Sequence, residues 1–279
     1  MKIMIFLLVL IFLLSSVRAE QVYPLNNDYD SLNSRIETLL DPNLKEFVFS
    51  TYILKLDQGG LIFMALLKNA AERGVKIKGV VDSQIIGEST EVLNFLKENN
   101  IQIYYYNPIK LKYFNFFKPV KSFLNLNQRL HDKIWSAKFF DEQKKEYRYL
   151  SLFGDKNISL DYYRQAKAYD SDVNPMLGHE LLVDSQSLGI KTFEYIDDLI
   201  KSSEPAYPIN IKRSDKKTEV FNQKISDLLF WVRARYEERR RQDFNATTGK
   251  PSVEIQPGNI NFLKDVSDKT TYSQLLSEL

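Results

Sequence analysis

The sequence predicts an α/β fold. A strand of aromatic and β-branched residues, Phe47-Val-Phe-Ser-Thr-Tyr-Ile-Leu54, precedes a helical repeat of Ile62, Ala65, Leu66 and Ala70, and a second strand runs from Val75 to Asp82. Strand, helix and strand with short connections make a βαβ unit, whose strands run parallel with a right-handed crossover. A further helix from Thr90 to Glu98 and a strand from Ile101 to Tyr105 continue the alternation.

The elements follow in order. Tyr29 to Leu40 reads as a short helix, Asp57-Gln-Gly-Gly60 as a turn, and Gly74 stands where a helix C-cap belongs. Leu130 to Ala137 and Tyr149 to Phe153 read as a strand pair joined by the polar stretch Asp141 to Glu146. Leu181 to Val183 is a further strand, and Ile190 to Lys201 a helix. Past Pro205 the chain becomes polar and basic, with Phe221, Ile225, Leu228, Leu229, Val232 and Tyr236 marking one face of a helix. Its end, Arg233 through Arg241, is arginine-dense and reads as a solvated face. From Phe244 onward Gly249, Pro251, Pro257 and Gly258 give a linker-like composition.

Composition narrows the function classes. With 38 basic against 36 acidic side chains, the formal charge of +2 argues against a protein held on nucleic acid by bulk positive charge. The absence of cysteine removes disulfides, thiol catalysis and thiolate metal sites. Imidazole chemistry is confined to His131 and His179. At the N-terminus, Lys2 precedes an apolar run from Ile3 to Leu14, and Val17 and Ala19 are placed for cleavage after Ala19. Those are the parts of a secretory signal peptide, so export to a periplasmic, secreted or membrane-associated location is expected. A retained N-terminal anchor is the competing reading, although the run is shorter than the roughly 20 apolar residues of a membrane span.

Two stretches carry chemistry. Asn107 to Asn127 interleaves Tyr113, Phe114, Phe116, Phe117 and Phe123 with Lys110, Lys112, Lys118 and Lys121. Such a loop suits a membrane interface, where rings enter the headgroup layer and ammonium groups meet lipid phosphate; packing of the same rings onto the domain is the other reading. In Arg129-Leu-His131-Asp-Lys133, His131 and Lys133 lie two apart on a strand and point to one face. Lysine brings charge to phosphoryl oxygens, and histidine serves as nucleophile or acid–base.

The ordered motifs Asn127-Gln-Arg129-Leu-His131-Asp-Lys133 and Gly154-Asp-Lys-Asn157-Ile-Ser159 resemble the phospholipase D superfamily, in particular the N-terminal half of bacterial cardiolipin synthase-like proteins. Thr51-Tyr-Ile with Asp57 and Gly60, Ala70-Ala-Glu-Arg-Gly-Val75, Val81-Asp82 and Asn107-Pro108 resemble the family in the same order, over roughly Phe47 to Leu199. The resemblance implies a phospholipase D-like α/β sandwich with a mixed, largely parallel central sheet flanked by helices, one half of a usually two-fold arrangement. It divides the chain into a signal peptide (1–19), a phospholipase D-like domain (20–205), a basic amphipathic helix region (206–243) and a tail (244–279) similar to the start of a second half.

What the resemblance implies is phosphodiester hydrolysis or phosphatidyl transfer through a phosphohistidine, with no metal or cofactor. His131 would act as nucleophile or acid, and Lys133 and Asn157 would hold phosphate oxygens, with Ser159 assisting. Glu180 is the candidate acid that orients the histidine, and His179 reads as structural. The family's aspartate five positions after the lysine is Lys138 here, with Asp141 as candidate substitute, and Asp155 occupies a position that is small in the family. Only one His-x-Lys motif of that kind is present, so the expected partners are a phosphodiester substrate, a membrane surface, and a second copy or second half. A non-catalytic lipid- or phosphate-binding protein and a secreted single-motif nuclease remain alternatives, with nucleic acid the less expected partner.

Overall fold

The computed structural model describes residues 21–25, 28–82, 90–106, 129–162, 178–207 and 216–246. The first strand, β1 (Gln21–Leu25), is followed by α1 (Asp28–Leu40), whose Leu32, Ile36 and Leu39 are buried at helical spacing. Then come β2 (Leu44–Thr51), α2 (Gln58–Glu72), β3 (Lys76–Asp82), α3 (Thr90–Glu98) and β4 (Gln102–Tyr106). The hairpin of β5 (Lys133–Asp141) and β6 (Glu146–Gly154) is followed by a 3-10 turn (Leu160–Tyr162) and, later in the chain, by β7 (Glu180–Asp184). The helix α4 (Gln186–Lys201), a short β8 (Ser203–Pro205) and α5 (Lys216–Ala246) complete the order.

The eight strands of the described residues form one sheet in the order β1-β7-β6-β5-β2-β3-β4-β8. The β2–β3 and β3–β4 pairs are parallel, as the βαβ reading predicts, and the other five pairs are antiparallel. The sheet is therefore mixed, but its parallel part is confined to three strands, where a largely parallel sheet was expected. The reason is local: the polar turn after Asp141 folds β5 directly onto β6, and a hairpin is antiparallel by construction. Two strands escape the sequence pattern, β1 with its proline and the three-residue β8.

Helices α1, α2, α3 and α5 pack together on one side of the sheet, while α4 lies against β2 to β6 on the other. Alternation along β2 and β5 sends Phe47, Phe49, Trp135, Ala137 and Phe139 into the larger core. There Phe47 stacks 5.7 Å from Trp135 and Phe49 meets Phe63 edge-on at 5.2 Å. Val48, Val80, Leu130 and Ile196 form a smaller core beneath α4. The sequence Asp57-Gln-Gly-Gly60 is the entry to α2 rather than a free turn: the Asp57 carboxylate accepts from the Gly60 N–H at 3.1 Å. A β-carbon at Gly60 would stand 1.7 Å from the Lys55 carbonyl oxygen, so the backbones can approach only through glycine. Gly74 ends the helix at φ +85°, where the sequence places a C-cap. Among the described residues, no helix is long and apolar enough to cross a membrane.

Candidate active site

The parallel strands β2 and β3 end where β5 begins, and the candidate site lies at that end of the sheet. Ends of parallel strands are where an open α/β sheet leaves a crevice, because the chain turns off to its helices there. Lys133 is the first residue of β5 and pairs with Thr51, the last of β2. Lys133 is a buried residue (5% exposed), whereas His131, two residues earlier and outside the strand, is exposed. The Lys133 ammonium donates to the His131 carbonyl at 2.8 Å and lies 3.1 Å from each of the two ring nitrogens. Burial pushes the Lys133 amine below its ordinary pKa, against the opposing pull of the Asp155 and Asp132 carboxylates. Tyr52, unmarked by the sequence reading, sets its ring 5.1 Å from the imidazole and 5.6 Å from the ammonium.

The structure brings His131 and Lys133 together, and gives Asn157 and Ser159 structural partners. The Asn157 side-chain carbonyl accepts from the Ile53 N–H at 3.0 Å, and its amide donates to the Tyr162 hydroxyl at 2.7 Å. Its second amide hydrogen has no partner among the described residues. Ser159 is wholly buried and donates to Asp57 at 2.8 Å, so the closing turn of the hairpin is tied to the capping residue of α2. A parallel bridge between Leu54 and Ile158 runs alongside, and Lys55 pairs with Asp161.

Glu180 occupies the same row of the sheet. Gly154 pairs with Glu180, and continuing the β5–β6 register one step past Ile134–Phe153 sets Lys133 beside Gly154. Glu180 leans over that glycine, whose β-carbon would stand 2.3 Å from the Glu180 Cγ. The carboxylate is nevertheless spoken for: Arg35 donates to Oε1 at 2.7 Å and to Oε2 at 3.0 Å, and the Ser31 hydroxyl donates to Oε2. Burial pushes the Glu180 carboxyl up, and the Arg35 guanidinium, the hydrogen bonds from Arg35 and Ser31, and the Lys156 charge outweigh it, leaving it below the usual range. Glu180 thus fastens β7 to α1, and no hydrogen bond joins it to His131.

Three departures from the family pattern have defined places. Lys138 lies an odd number of residues from Lys133, hence on the opposite face of the sheet and roughly 16 Å along the strand. There it donates to Glu46 at 2.8 Å and lies 4.4 Å from the Tyr147 ring centre. Asp141 is not brought to the site: at the far end of β5 it accepts from the Gln143 and Lys144 N–H groups, each at 3.0 Å, and shapes the hairpin turn. Asp155 is exposed beside Gly178, and His179 is exposed one residue before Glu180. Tyr113, Phe114, Phe116, Phe117, Lys118 and Asn127 lie outside the described residues.

No family model matches the chain. Two uncharacterized Helicobacter pylori proteins, from strains 26695 and J99, are each 27% identical over 144 residues. Those residues make up 50% of this chain and 26% of each relative, so the match spans about a quarter of the relatives' length. Among solved structures the chain is similar to phosphatidylserine synthase from Haemophilus influenzae Rd KW20, with 14% identity and a TM-score of 0.49 over 84% of this chain and 46% of that one. It is also similar to Nuc from Salmonella typhimurium, a phospholipase D family member, with 14% identity and a TM-score of 0.39 over 68% and 99% of the two chains. NucT from Helicobacter pylori gives 15% identity and a TM-score of 0.40 over 67% and 98%. The resemblance to the phospholipase D superfamily rests on the ordered motifs of the sequence.

Proposed function

We propose that the chain is a phosphodiester hydrolase or transferase acting on phospholipid, and that a second His-x-Lys motif reaches it from another copy or another chain. The observation that carries this reading is the Lys133 ammonium 3.1 Å from both ring nitrogens of an exposed His131, where β2 and β3 end. An imidazole nitrogen of His131 attacks phosphorus, forming the N–P bond as the P–O bond to the leaving group breaks. The leaving oxygen takes its proton from the second motif's histidine, and water or an alcohol then displaces His131. Lys133 faces the charge that grows on the equatorial oxygens, a role in which one donor is worth ~10²–10³ in rate. The free amide hydrogen of Asn157 is a further donor for that charge. Export through residues 1–19 belongs to the same proposal, on the basic, apolar and small-residue parts of that stretch.

The test incubates the full chain with phosphatidylglycerol or phosphatidylcholine vesicles plus an alcohol, and separately with DNA. Expected are phosphatidic acid or the exchanged lipid, an acid-labile phosphatidyl group on the peptide holding His131, and loss of at least ~10²-fold in turnover for His131→Ala and Lys133→Ala. Turnover that survives His131→Ala overturns the mechanism, and cleavage of DNA with no action on lipid overturns the substrate.

A further inference from the structure

His131 stands outside β5, so the strand ladder, which begins at Lys133–Thr51, does not fix it. Other contacts hold residues 129–132. Asp82, the last residue of β3, is fully enclosed at 0% exposure, and its carboxylate accepts from Arg129 Nη1 at 3.1 and 3.4 Å and from the Leu130 N–H at 3.3 Å. Leu130 itself is buried in the small core under α4. On the other side of His131, the Tyr52 N–H donates to the Asp132 carbonyl at 3.0 Å, and the Tyr195 hydroxyl donates to the Asp132 carboxylate. An enclosed carboxylate held by a guanidinium and a backbone N–H is stiff, because releasing either donor leaves a buried charge short of partners.

We infer that Asp82 is a positioning residue for His131, acting through Arg129 and Leu130 to hold the imidazole over the Lys133 ammonium. The inference rests on the proposed function for its kinetic effect, and on the contacts alone for its structural effect. Asp82→Asn keeps the shape and removes the charge. It is compared with Asp184→Asn, which breaks another largely buried ion pair, Arg148 to Asp184 at 2.7 Å, at the other end of the hairpin. Arg129→Gln removes the opposite half of the first pair and serves where Asp82→Asn does not fold.

Two readouts are taken on the full chain. In hydrogen exchange, Asp82→Asn or Arg129→Gln is expected to speed exchange at the Tyr52 amide and across 130–134 by ~10-fold or more, while Asp184→Asn leaves those amides as in wild type. In turnover of phosphatidylglycerol vesicles, the first two variants are expected to lose ~10- to 100-fold in kcat with KM within about threefold, and the third to stay within about twofold. Unchanged exchange in Asp82→Asn, or equal losses in Asp184→Asn, overturns the inference. A wild type with no turnover counts against the proposed function alone, and the exchange result then decides this one.

Discussion

At the residue scale, Lys133 is an ammonium in a place where packing alone favours an apolar side chain. Its burial depresses its pKa, so the unfolded chain holds the proton more tightly than the folded one. Stability from this group therefore rises with pH between the lowered folded value and the ordinary value of 10.5, and at neutral pH the charge is a cost. Lys133→Met is expected to raise the unfolding free energy by up to about 1 kcal/mol, roughly 2–4 °C in Tm, while turnover falls at least ~10²-fold. Thermal unfolding beside a vesicle assay checks it; a destabilised Met variant means the ammonium is held for structure. The two-residue period of a strand set His131 beside Lys133 in the sequence reading, yet β5 begins only at Lys133, and His131 meets the ammonium from the segment before the strand. The same rule places Lys138 on the face of the sheet opposite Lys133, where it pairs with Glu46. Tyr52 and Asp82 were not legible as site residues, since their contacts with His131 and Arg129 join segments far apart in sequence.

At the scale of elements, the strands with branched and aromatic runs and the helices with apolar periodicity were readable to within a few residues. The entry to α2 was not, because an aspartate before two glycines marks a turn and a helix cap equally well. The partner of Glu180 was hidden for a different reason: a sequence does not show that α1 carries its guanidinium across to β7. With Glu180 below its ordinary pKa, the pair contributes stability that is present above the unfolded value and lost as pH falls through the folded one. Arg35→Met strands the carboxylate, so burial then pushes its pKa up. The variant is expected to lose about 3–5 kcal/mol at neutral pH, and that loss shrinks on acidification as the stranded carboxyl takes up its proton. Urea unfolding of both proteins at neutral and at acid pH measures this; a loss that does not shrink as pH falls removes the pair from the account.

At the scale of the whole molecule, the sheet order rests on contacts no local pattern contains: β7 inserts between β1 and β6, and β8 closes the edge beside β4. The long helix α5 was legible as amphipathic, with the face that Ile225, Leu229 and Val232 now bury against α2 and α3. Phe221 adds an edge-on contact with Phe95 at 5.5 Å. These side chains enter the core that also holds Phe47 and Leu66, so α5 and the sheet layer share one apolar interior. A shared interior makes unfolding cooperative across the whole, because opening the helix exposes the faces of α2 and α3 it covers. Ile225, at 0% exposure, is the sharpest probe of that coupling. Ile225→Ala is expected to cost about 2–5 kcal/mol, lowering the urea midpoint with the slope unchanged and with far- and near-ultraviolet signals moving together. Two separated transitions, with the helical signal lost first, would show α5 to be an independent layer and would free the sheet and its site from dependence on it.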